Sequence, residues 1–215
     1  TTVGAGNKLS VESGALFFTG SGTLAGSGEI TSGTQQLVLH IAGDGTSLTG
    51  EVSANLSSGG GVIVGDAGSA IHTIVLSGNN SIVGGVTINN GILQLGSANA
   101  LGSGILNDLA LRAGNSSTTG ATSTVLRLAG NDVSVLFGGG DRLQGSTRIE
   151  NGSALPATFR VFTNATSDSN DGILQDGSGG GSLSFVKGGA SQLTLEQNNS
   201  YTGKTQILDG NLRLR

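Results

Sequence analysis

The chain has 215 residues, 40 of them glycine and one proline, with no cysteine, no tryptophan and a net charge of −4. Only 11% of residues are charged, which excludes the signature of a disordered chain, and glycine without a three-residue period excludes collagen. Singly scattered Lys and Arg offer no stripe for a phosphate backbone, so no nucleic-acid partner is expected, and no apolar run of about 18 residues could form a transmembrane helix. The N-terminus Thr1-Thr2-Val3-Gly4 lacks a signal-peptide pattern.

Short apolar alternations recur from the first third of the chain onward. Leu37/Leu39 leads through Leu48-Thr49-Gly50 to Val52 and Ala54. Thr73–Leu95 then gives three bursts, Ile74/Leu76, Val86/Ile88 and Leu93/Leu95, each with period two, the mark of a strand with one buried face. Asn-Asn, Gly-Gly and Asn-Asn-Gly separate them, residues suited to sharp corners. Leu109/Leu111, Leu126/Leu128, Val133/Val135, Phe159/Val161 and Leu183/Phe185 continue the pattern. It breaks at residues 114–124 and 164–172, both polar and aperiodic, which read as protruding loops. Gln192–Leu214 repeats Thr73–Leu95 without a gap. Asn198 and Asn199 fall on Asn79 and Asn80, Gly203 on Gly84, and Gly210 on Gly91. Leu195, Ile207, Leu212 and Leu214 fall on Leu76, Ile88, Leu93 and Leu95, and Leu193 joins them as core.

Three short strands and three corners in about two dozen residues suit one coil of a three-sided solenoid. The expected fold is all-β, a parallel β-helix over residues 1–215 as a single segment of roughly eight to ten coils, on the order of 40–50 Å long. Stacked corner asparagines are expected to pass amide hydrogen bonds between coils.

Gly179–Leu214 resembles the autotransporter-associated β-strand repeat, through Leu193, Leu195, Asn198, Tyr201-Thr202-Gly203, Thr205, Ile207, Gly210, Leu212 and Leu214. Thr73–Leu95 departs from that pattern at Ile82-Val83 and Val86, and Glu196-Gln197 replaces the usual Ser-Gly. The resemblance implies a right-handed parallel β-helix, a passenger displayed on the surface of a bacterium with an outer membrane. A C-terminal membrane barrel would carry it there, and none lies within these residues.

The chemical motifs are incomplete. Gly203-Lys204-Thr205 ends a phosphate-loop pattern whose first glycine would stand where Asn198 is. Asp168-Ser169-Asn170-Asp171-Gly172 resembles the start of a calcium loop without its closing glutamate, and Gly138-Gly139-Gly140-Asp141 resembles a calcium nonapeptide that does not recur. The two histidines, His40 and His72, belong to no nucleophile motif, and His40 should point outward beside Leu39 and Ile41. Asp44, Asp66, Asp132, Asp141 and Asp209 stand in turn contexts, with no acid pair at coil-to-coil spacing.

No catalytic residue, cofactor, metal or small-molecule substrate is therefore expected. The reading is a non-catalytic, rigid passenger or stalk segment outside the cell, serving adhesion, self-association or secretion. Outward Thr87, Gln94, Thr194 and Gln206 suit homotypic contacts between rods or contacts with a host surface. An extracellular filament subunit is the first alternative, and a polysaccharide-cleaving β-helix enzyme the second.

Overall fold

The computed structural model describes residues 1–43, 46–67, 70–112, 124–137, 140–145, 147–164 and 168–215. Every named element among them is a strand, and every strand pairing is parallel, so the chain forms a β-solenoid. Period-two alternation explains why. In Leu37–Ile41 the residues Leu37, Leu39 and Ile41 are buried while Val38 and His40 are only partly covered. A single such strand can bury one face only against its equivalents in neighbouring coils.

Successive strands fall in turn on three faces. The third face is unbroken and seven strands deep: Gly22–Leu24, Thr49–Val52, Thr73–Leu76, Ile92–Leu95, Val125–Arg127, Arg148–Glu150 and Ile173–Gln175. The first face comprises one sheet from Lys8–Ser10 to Ser81–Ile82 and a second from Ile105–Leu106 to Thr205–Ile207. The second face divides likewise, from Ala15–Phe18 to Leu109–Leu111 and from Gly140–Asp141 to Asn211–Leu214. Across the first break Asn107 Nδ2 donates to the Val83 carbonyl at 2.8 Å, and across the second Leu111 bridges Leu143.

Six steps of about 4.8 Å between the seven strands of the unbroken face span roughly 30 Å. Isolated bridges from Thr2 to Ala25 and from Gln175 to Ser200 add a partial level at either end. The unbroken ladder is thus shorter than the eight to ten coils that length alone suggests, because Ile92–Leu95 and Val125–Arg127 are neighbours although a long stretch of chain separates them.

Register corrects the reading of the repeat. Ile74 pairs with Leu93 and Leu76 with Leu95, as Leu193 pairs with Leu212 and Leu195 with Leu214. The third burst of each copy therefore lies on the same face as its first burst, one coil further on, and is not a third side of the same coil. In the earlier copy the missing side is Ser81–Ile82, which the sequence reads as part of a corner.

Ile74, Leu76, Ile88, Leu93, Leu95, Leu193 and Leu195 lie inside one continuous apolar core. Phe159 and Phe185 stack one coil apart within it, with ring centroids 6.3 Å apart, and Tyr201 follows Phe185 at 6.4 Å. Three residues expected in the core differ: Leu212 is half-buried, Ile207 is 52% exposed and Leu214 71% exposed. Among the described residues no further coil stacks upon theirs.

Two more expectations change. The loop expected over 164–172 contains the strand Asp168–Asn170, which lies between Gly140–Asp141 and Gln192–Leu195. Of the loop expected over 114–124, only Thr124 lies within the described residues; it is buried, and its hydroxyl donates to the Arg112 carbonyl at 2.7 Å.

Candidate functional surface

The repeat corners hold their coils together through side chain and backbone. Asn80 Oδ1 accepts the Leu56 N–H of one neighbouring coil at 2.9 Å, while its Nδ2 donates to the Ala100 carbonyl of another at 2.6 Å. Asn199 Oδ1 accepts the Leu174 N–H at 2.8 Å, the same task in the other copy. Asn80 and Asn199 do not stack on each other, because they stand on different faces. Asn79 is exposed and gives its backbone N–H to Asn55 Oδ1 at 3.0 Å, and Asn198 is exposed.

The repeat glycines have two separate reasons. A Cβ on Gly84 would fall on the backbone of Gly60, and one on Gly203 on the carbonyl of Leu183, so both mark close approach of one coil to the next. Gly91 and Gly210 have φ of 81° and 69°, a left-handed corner that glycine adopts without strain. Gly203-Lys204-Thr205 is a corner of the close-approach kind and leads into the strand Thr205–Ile207, where a phosphate loop would lead into a helix.

Tyr201-Thr202-Gly203 is tied down by an aspartate. Asp176 accepts the Thr202 hydroxyl at 2.7 Å, the Thr202 N–H at 3.1 Å and the Leu183 N–H at 2.7 Å. Burial pushes its carboxyl pKa up, but these donors outweigh burial and hold it below the usual range. In the earlier copy Val83 replaces this threonine and is 56% exposed.

The outward side of the third face carries a column in register that is polar except at Val75: Thr23, Glu51, Val75, Gln94, Arg127, Glu150 and Gln175. Ser77 donates to Glu51 at 2.6 Å. Higher up, Arg127 Nε meets Glu150 Oε1 at 2.8 Å and Gln175 Nε2 donates to Glu150 Oε2 at 2.9 Å. Glu150 is thereby buried although it faces outward. Of the residues expected on outer faces, Thr87 and Gln94 are half-covered and Gln206 is exposed. Thr194 departs, being 6% exposed, with the Gln192 amide 3.4 Å from its hydroxyl.

Three ionisable groups lie inside the rod, and sequence alone marks none of them as interior. Lys187 takes a core position, in register with Val161, and donates to the carbonyls of Gly188, Gly189 and Asp209 at 2.8, 2.6 and 3.0 Å. Burial lowers its pKa, opposed by the charges of Asp209 and Asp168. Asp168 is buried and neither carboxylate oxygen has a hydrogen-bond partner; burial raises its pKa, opposed by Arg142 and Lys187. A buried strand residue of this kind is not the first ligand of a calcium loop. The side chain of Asp141, and with it the Gly138–Asp141 likeness, lies outside the described residues. His72 is buried, with Nδ1 2.8 Å from Asp66 Oδ1 and its backbone N–H on Asp66 Oδ2 at 2.9 Å. His40 stacks on the exposed Phe17, ring centroids 4.9 Å apart, on the outer side of the second face.

Among the described residues no three His, Cys, Asp or Glu side chains gather to hold a metal ion. Glu150 and Asp176 already serve structural partners, and Asp176 is shifted in the direction opposite to that of a proton donor. A family model, the passenger-associated transport repeat, matches residues 73–95 and 185–214, the two copies just described. The chain is a β-solenoid that carries two stretches similar to this repeat. The matches cover about a quarter of it, and the intervening coils keep the architecture with looser sequence. No curated protein and no solved structure matches the chain.

Proposed function

We propose that the chain is a rigid, non-catalytic segment of a passenger protein displayed outside a bacterium with an outer membrane, carried by a C-terminal membrane barrel elsewhere in the parent protein. The unbroken seven-stranded face over a continuous apolar core supports this reading most directly. Such a stack resists bending and holds whatever it bears at a fixed distance from its base. It also folds by addition, since each finished coil offers unpaired strand edges to the next. Outward Thr87, Gln94 and Gln206 give lateral faces fit for association between rods or with a surface through many modest hydrogen bonds.

The test is display in the parent passenger. Replacing Ile74, Leu76, Leu93 and Leu95 by serine should abolish protease-resistant display of a tag placed before the chain. Replacing Thr87, Gln94 and Gln206 by alanine should leave display intact and reduce clumping of the displaying cells. Intact display after loss of the core would overturn the stalk reading; unchanged clumping would overturn the association.

A further inference from the structure

At the upper end of the third face a cleft of about 570 Å³ opens between coils, lined by Arg127, Arg148, Glu150, Gln175, Ser178 and Ser200. We infer that it binds a carboxylate-bearing saccharide, with the Arg148 guanidinium as the anchor for the carboxylate. The inference stands independently of the stalk reading. Its volume lies within the range of small-molecule sites.

The charges of the cleft are unequally committed. Arg127 is paired with Glu150, and Glu150 is closed on its other side by Gln175. Asp176, on the same rim, spends its oxygens on Thr202 and Leu183. Arg148 is different. Its Nε is buried without a hydrogen-bond partner, and none of the ion pairs among the described residues includes it. It stands outward beside Glu150 in the same strand, in register between Val125 and Ile173, which offer it no acceptor. A guanidinium in that position presents the planar fork that a carboxylate fills with two parallel bonds.

The rest of the lining suits hydroxyl groups. Ser178 and Ser200 are exposed, and Gln175 has an amide oxygen to accept with while its nitrogen holds Glu150. With no aromatic side chain in the lining, recognition rests on hydrogen bonds and one charge, so binding should be modest and sensitive to salt.

Calorimetry of the full chain with tetragalacturonate, and with maltotetraose as its neutral counterpart, tests this. The acidic probe should bind at least about tenfold more tightly, and Arg148→Gln should cost about tenfold while leaving thermal stability unchanged, since no side-chain hydrogen bond or ion pair among the described residues uses Arg148. Arg148→Lys should recover only part of the loss. Equal binding of the two probes, no binding of either, or full binding by Arg148→Gln would overturn the site. If Arg148→Gln proves unstable, the Gln175 side-chain amide of the unaltered chain decides by NMR: a shift on adding tetragalacturonate but not maltotetraose supports the site, and its absence overturns it.

Discussion

The two asparagines of one corner do different work. Asn80 satisfies a buried N–H and a buried carbonyl in separate coils, whereas the Asn79 side chain is exposed. Asn80→Ala should therefore cost about 2–3 kcal/mol, the penalty of leaving such groups unpaired, and Asn79→Ala less than about 0.5 kcal/mol. Denaturant unfolding of the two variants separates them. Asp168 has the opposite character. Its pKa is raised on folding, so the native state holds the proton more tightly than the unfolded chain. Stability is thus lost as pH rises from the ordinary carboxylate value near 4 towards the folded value. Asp168→Asn should raise the melting temperature at pH 7 and change it little at pH 3.5. Equal shifts at both pH values would show that the carboxylate is not the cause. Neither residue's role can be read from the chain: Asn79 and Asn80 are adjacent and identical, and Asp168 sits in a run of polar residues that has every mark of a loop.

At the scale of the strand, alternation predicts burial wherever coils lie on both sides. Leu93, paired with Ile74 below and Leu126 above, is fully buried, while Leu214 has only Leu195 beneath it. Leu93→Ala should cost about 2–5 kcal/mol and Leu214→Ala under about 1 kcal/mol, measured by chemical denaturation. What sequence cannot supply is the side of the coil on which a strand lies. Leu93/Leu95 has the same pattern whether it forms a third side or begins the next turn, and only pairing with Ile74 and Leu76 decides. The same limit hid the strand at Asp168–Asn170, whose inward residues, Asp168 and Asn170, are polar. Alternation of hydrophobicity carries no signal there. Much of the polar column through Arg127, Glu150 and Gln175 was likewise illegible, because its members meet only through a register that spacing along the chain does not encode.

For the whole molecule, each coil touches only its neighbours, so stability should grade along the axis. Amide exchange should be slowest in Thr73–Leu76, Ile92–Leu95 and Val125–Arg127, at the middle of the unbroken face, and fastest in Asn211–Leu214. Uniform exchange would instead mean that the rod opens as a single unit. The solenoid class was legible from two gapless copies and their corners, while the phase of those copies was not. Asn80 follows a strand of the third face and Asn199 a strand of the second, since the strand opening the later copy comes fourteen places after that opening the earlier, not a whole number of three-strand turns. Copies of one motif therefore look out from the axis along different compass bearings, like steps of a spiral stair. A planar partner laid along the rod would meet one copy and miss the other. Any recognition written into the motif itself would thus act one copy at a time, and the two could be engaged together only by something that winds around the shaft.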